Sequence, residues 1–98
     1  MLRDFFLGFI KIHILHHAAK EPVYGLWLIG ELGRHGYKLS PGTLYPILHK
    51  LEKEKLLKSY SENISGKIRK YYSTTPKGIK SLTRIKEKIT ELVEEVME

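Results

Sequence analysis

Ninety-eight residues, 42% hydrophobic and 29% charged, suffice for one modest core and not for two. This composition excludes a disordered tail and, with no apolar run of eighteen residues, a membrane-spanning helix; the lack of cysteine excludes disulfides, thiolate chemistry and sulfur-ligated zinc fingers. The net charge of +6 lies wholly in residues 1–75, because five basic and five acidic side chains cancel in residues 76–98, so a basic body suited to a polyanion is joined to a neutral segment with another task.

The opening Met1-Leu2-Arg3-Asp4-Phe5-Phe6 has neither a separate basic region nor a small-residue cleavage site, which makes a cytoplasmic protein the expectation. Over residues 3–19, Phe5, Phe6, Leu7, Phe9, Ile10, Ile12, Ile14, Leu15 and Ala18 occupy nearly the whole circumference of a helix. Such a helix needs cover on more than one side, and a chain this short cannot supply it alone, so a partner subunit is inferred. Pro22 suits the first turn of a second helix. Leu26, Ile29 and Leu32, with Leu28 nearby, form its inward face, and Gly33 or Gly36 ends it. Tyr37-Lys38-Leu39 is a short extended link. Ser40-Pro41 then supplies a cap and a residue preorganised for the first turn of a third helix. That helix runs to about Glu54 and turns Leu44, Ile47 or Leu48, and Leu51 inward. Pro46 fits the first turn without cost if Thr43 is the cap. The earlier start at Ser40 is preferred, which costs one backbone hydrogen bond and bends the helix.

Leu57–Glu62 and Ile68–Ser73 read as short strands joined by the turn-forming Asn63-Ile64-Ser65-Gly66-Lys67. Thr75-Pro76 opens a last helix by the same device as Ser40-Pro41. In it Leu82, Ile85, Ile89, Leu92 and Val96 recur at spacings of three, four, three and four, with Val93 and Ile79 widening the seam. A helix docked on its own domain is the plainer alternative; pairing with a second chain is preferred because the first helix independently lacks cover. The expected fold is mainly α with a small β-hairpin: a winged helix-turn-helix unit over residues 1–75 and a C-terminal dimerisation helix over residues 76–98.

With Leu44, Ile47, Leu48 and Leu51 turned inward, the third helix presents Thr43, Tyr45, His49, Lys50 and Lys53, with Ser40 at its cap. Hydroxyls and a phenol donate to phosphate oxygens, and Lys and His reach phosphates or base edges. The hairpin gathers Lys67, Arg69 and Lys70 beside a Ser65-Gly66 tip, the composition of a wing that touches backbone or minor groove. A solvated edge strand kept soluble by charge is the alternative for the hairpin taken alone. His13, His16 and His17 are spaced for a metal, but no carboxylate or cysteine lies at matching spacing. They read as packing or surface histidines, and neither metal nor cofactor is expected. Trp27 reads as half-buried core rather than a platform for a flat ligand.

Ser40-Pro41-Gly42-Thr43-Leu44-Tyr45-Pro46-Ile47-Leu48 with Leu51-Glu52 resembles the recognition-helix pattern of the PadR family of transcriptional regulators. Tyr24-Gly25 and Arg69-Lys70-Tyr71-Tyr72-Ser73-Thr74-Thr75-Pro76-Lys77-Gly78 are similar to two further parts of that pattern. The resemblance implies a homodimeric repressor of double-stranded DNA whose terminal helix packs on the partner's first helix, bringing in Phe5 and Phe9. It also implies DNA contacts from Thr43, Tyr45 and Lys50, with Tyr24 near a phosphate. Lys55 stands where the family has a glycine ending the recognition helix, so that the helix runs on or Lys55 turns left-handed. Thr74 stands for a leucine, with weaker packing expected. A small-molecule effector has less room in this single-helix tail than in longer members. An enzyme is not expected: no catalytic set and no phosphate-cradling glycine loop is present. Sequence-indifferent DNA packaging and a protein-interaction module are the alternatives that the same fold allows.

Overall fold

In the computed structural model, which describes residues 2–98, the chain forms α1 (Leu2–Lys20), β1 (Val23–Tyr24), α2 (Gly25–Arg34), α3 (Pro41–Lys53), β2 (Leu57–Ile64), β3 (Lys67–Thr74) and α4 (Pro76–Val96). Met1, the first residue of the expected N-terminal unit, lies outside the described residues. The strands make one antiparallel sheet in the order β1-β3-β2. This is the winged helix-turn-helix arrangement expected, with one strand more.

The extra strand corrects the reading of the second helix. Val23 and Tyr24 pair with Tyr72 and Tyr71, so Pro22 precedes a strand and α2 starts only at Gly25. The inward face of α2 is correspondingly rotated: Leu28 and Leu32 are buried with Gly25, whereas Leu26 is 68% exposed. Leu44, Ile47, Leu48 and Leu51 are all buried from α3, as expected, and with Ile10, Ile14, Leu15, Ala18, Val23, Leu57 and Tyr72 they complete one core. Ser40 holds the cap position with Pro41 following and Pro46 inside the helix, on its exposed side. The Gly42 carbonyl that Pro46 cannot serve therefore lies toward solvent, which keeps the loss small.

Both helix ends next to the site close by the same six-residue loop. After α2, the Tyr37 amide donates to the Leu32 carbonyl (3.0 Å) with Gly36 at φ 87° between them. After α3, the Leu56 amide donates to the Leu51 carbonyl (3.0 Å) and Lys55 takes the left-handed position at φ 67°. A lysine there costs about 1 kcal/mol relative to glycine. Lys55 thus ends the helix rather than extending it. Thr74, half-buried, donates its hydroxyl to the Leu15 carbonyl of α1 at 2.8 Å, a polar tie at the position where the family has a leucine.

The start of α4 is clamped to the loop after α3. The Thr75 hydroxyl accepts from the Gly78 amide (3.0 Å) and donates to the Lys55 carbonyl (2.6 Å), and the Thr75 amide donates to the Leu56 carbonyl (3.0 Å). Gly78 and Leu82 are buried there, and beyond Ile89 the helix leaves the body. The seam expected from spacing therefore cedes Leu82, 4% exposed, to the chain's own core. Ile89, Leu92, Val93 and Val96 remain exposed, as do Phe5, Phe6 and Phe9 on α1. A cleft between the two helices is lined by Phe9, Ile12, His13, His16, Tyr37, Leu82, Lys86 and Ile89.

The histidines of α1 pack against α2. His13 stacks on His35 with ring centres 4.6 Å apart, and His17 meets the half-exposed Trp27 edge-on at 5.3 Å. Among the described residues no group of three His, Cys, Asp or Glu side chains is placed to hold a metal ion. Burial, then His35 and His17, lowers the pKa of His13 below its usual 6.5 against an opposing pull from Glu31. Burial, then Lys20, His17, Lys86 and His13, lowers that of His16. Because the unfolded chain takes up these protons more readily, stability is full above about pH 6.5 and is lost as pH falls below it. Melting temperatures measured between about pH 7.5 and 5 are expected to decline, with a shallower decline for His13→Asn. A rise toward acid would contradict this account.

Candidate nucleic-acid interface

The exposed side of α3 carries Gly42, Thr43, Pro46, His49, Lys50 and Lys53. Four buried leucine and isoleucine side chains hold the helix down, which is why this polar stripe points away from the core. Ser40 and Thr43 face each other across the first turn, their hydroxyls 3.3 Å apart. Tyr45 differs from its neighbours. It is half-buried, and its hydroxyl end lies against Gly25 so closely that a Cβ at that position has no room. Gly25 thus lets the second and third helices cross with Tyr45 wedged between them.

The hairpin stands beside this stripe. Its register runs from Leu57↔Thr74 at the base to Ile64↔Lys67 at the tip, and Ser65 (φ 51°) and Gly66 (φ 84°) close it as a two-residue turn. The strands are longer than the sequence leads one to expect because Asn63, Ile64, Lys67 and Thr74 join the ladder. Asn63 then steadies the turn by accepting from the Gly66 amide (2.9 Å). A cleft of about 240 Å³ separates the hairpin from the helices and is lined by Tyr24, Leu26, Tyr45, Ile64, Lys67, Ile68, Arg69 and Lys70.

Directly paired residues share a sheet face, and this sorts the basic side chains. Arg69 lies on the outer face, its guanidinium 4.0 Å above the Tyr24 ring. A hydrogen bond to Tyr71 leads the influences that raise its pKa, so it stays charged. Tyr71 stacks on Tyr60 (5.4 Å) and meets Tyr24 edge-on (5.7 Å). Lys70 lies on the inner face with its ammonium 3.9 Å from the Glu52 carboxylate, which also accepts from the Ser59 hydroxyl. Part of its charge is therefore committed to α3. Lys67 is exposed at the tip.

The structure thus brings Tyr24, Tyr45, Lys67, Arg69 and Lys70 around one cleft and leaves Thr43, His49, Lys50 and Lys53 on the adjoining helix face. Tyr71 beside Arg69, Tyr60 stacked on Tyr71, and the apolar Leu26, Ile64 and Ile68 do not stand out from the sequence as interface residues. The one signal for the tyrosines is strand alternation, which puts Tyr71 on the face of Arg69, and it becomes usable only once the register is known. No helix among the described residues is long and apolar enough to cross a membrane.

The chain is matched over residues 14–84 by the model of the transcriptional regulator PadR-like family. It is 47% identical over 96 residues to the transcriptional regulator Rv3488 of Mycobacterium tuberculosis, covering 98% of this chain and 90% of that one. Its fold is similar to the crystal structure of a PadR family transcriptional regulator from Eggerthella lenta, with TM-score 0.83 and 33% identity over 98% of this chain and 85% of the other. A PadR-like transcriptional regulator from Bacillus cereus gives TM-score 0.78 and 33% identity, with 93% of each chain covered.

Proposed function

Because the chain belongs to the PadR-like family of transcriptional regulators, we propose that it binds duplex DNA sequence-specifically as a homodimer and represses transcription by occupying an inverted-repeat operator. The observation that carries this reading is the continuity of the polar, basic face of α3 with the basic hairpin across a single cleft. A helix with His49, Lys50 and Thr43 outward fits a major groove, where such side chains reach base edges. Tyr24, Ser40, Tyr45, Lys53, Lys67, Arg69 and Lys70 take phosphates on either side. Residues 2–75 then grip DNA while the free half of α4 joins two subunits. Phe5 and Phe9 of one chain and Ile85, Ile89, Leu92, Val93 and Val96 of the other bury each other's apolar surface. Two-fold symmetry sets the half-sites about one helical turn apart, or a small multiple of it. The reading places the protein in the cytoplasm with the DNA it regulates.

The role of the wing is tested by titrating a labelled duplex at several salt concentrations. Lys67→Ala and Arg69→Ala are each expected to weaken binding to all sequences alike and to reduce the salt slope by about 1 for every phosphate that is no longer neutralised. Unchanged slopes in both variants would remove the wing from the interface. Sequence-indifferent packaging predicts equal affinity for unrelated duplexes at every salt concentration.

A further inference from the structure

The inner face of the hairpin changes character along its length. From base to tip its residue pairs are Leu57 with Thr74, Ser59 with Tyr72, Ser61 with Lys70 and Asn63 with Ile68. Leu57 and Tyr72 are buried in the core, and Lys70 reaches back to Glu52 of α3. Ile68 lies four residues, about 13 Å, beyond Tyr72, on the hairpin side of the cleft that Leu26 and Tyr45 line from the helices, and is 72% exposed. At that exposure the described residues leave most of this isoleucine side chain uncovered.

We propose that Ile68 is an apolar wedge that lodges in the minor groove beside the recognition helix and selects sites with an easily unstacked pyrimidine–purine step there. The proposal rests on the duplex-binding reading above and deepens it. Charge identifies the occupant: Lys67 and Arg69 flank Ile68 in sequence and Lys70 follows it on the same face. The carboxylate of the hairpin's outer half, Glu62, is paired opposite Arg69 on the other face. A second basic copy of this chain is repelled by that setting, and a nucleic-acid backbone is attracted. The support is a two-residue turn that the Asn63 side chain fastens by accepting from the Gly66 amide. Apolar side chains pushed between base pairs kink the duplex by unstacking a step. TpA and CpA steps unstack at least cost, so such a wedge reads sequence without hydrogen bonds to bases.

The test uses the full-length protein and a duplex that it has enriched from a random pool. The duplex is rebuilt with a TpA or an ApA step at each flanking position in turn and 2-aminopurine beside it. The parent protein is expected to favour one TpA placement about tenfold and to brighten the neighbouring 2-aminopurine at saturation. Ile68→Thr, which keeps β-branching at an exposed site, is expected to lose both effects while retaining the salt slope and its affinity for the ApA duplex. The proposal is overturned if the parent shows no step preference, or if Ile68→Thr keeps it together with the fluorescence change. A parent protein that enriches no duplex at all overturns the DNA reading itself and the wedge with it.

Discussion

Leu92→Asp is expected to leave a folded monomer that no longer holds an inverted repeat. Leu92 is 59% exposed on the part of α4 that has left the body, so an aspartate there disturbs nothing in its own subunit. In a dimer built on Ile85, Ile89, Leu92 and Val96 the same carboxylate is buried unpaired, once from each chain. Each such charge costs several kcal/mol, enough to raise the dimer dissociation constant about a thousandfold or more. Sedimentation equilibrium is expected to show one monomeric species with an unchanged circular dichroism spectrum. Binding to a single half-site persists weakly, whereas the gain from joining two half-sites disappears. A dimeric Leu92→Asp protein would place the subunit contact elsewhere.

The second large effect concerns stability. A methyl group at Gly78 meets the Leu56 carbonyl oxygen and comes within 2.6 Å of the Thr74 side-chain methyl. The first of these is backbone, held by the amide of Thr75, and cannot swing aside. Gly78→Ala therefore pushes the start of α4 off the loop after α3 and breaks the Thr75 clamp, at a cost of about 3 kcal/mol. For a domain of this size that is a fall in melting temperature of about 15 °C. Gly30→Ala is the matched control. Gly30 lies within α2 with open space where a Cβ would stand, so alanine is expected to stabilise the protein by about 0.5–1 kcal/mol. If both substitutions behave alike, the close approach at Gly78 is not what fixes α4.

The sequence is most readable where one residue decides a local structure. Ser40-Pro41 and Thr75-Pro76 mark the starts of α3 and α4, and the four inward residues of α3 follow from that start. Readability fails where a distant part of the chain decides. The two-residue strand at Val23-Tyr24 exists only through its pairing with Tyr71 and Tyr72, and no local pattern separates it from the first turn of a helix. Leu26, Leu28, Ile29 and Leu32 allow two inward faces for α2. The choice falls to Leu28 and Leu32 because Gly25 admits Tyr45, a contact between helices that periodicity does not contain. The apolar spacing of α4 is legible, but the point at which that helix leaves the core is not, so spacing alone puts Leu82 in the seam when it belongs to the core. At the interface the basic residues of the wing are legible by composition. Their division between sheet faces, which frees Arg69 toward Tyr24 and draws Lys70 toward Glu52, needs the register.

The proposed activity is specific recognition of duplex DNA by a symmetric pair of subunits. Its most direct test is selection of bound duplexes from a random-sequence pool by the purified protein at moderate salt. One inverted repeat is expected to be enriched, with half-sites about one helical turn apart or a small multiple of it. Retention of DNA without any enriched motif, or no retention, would contradict it.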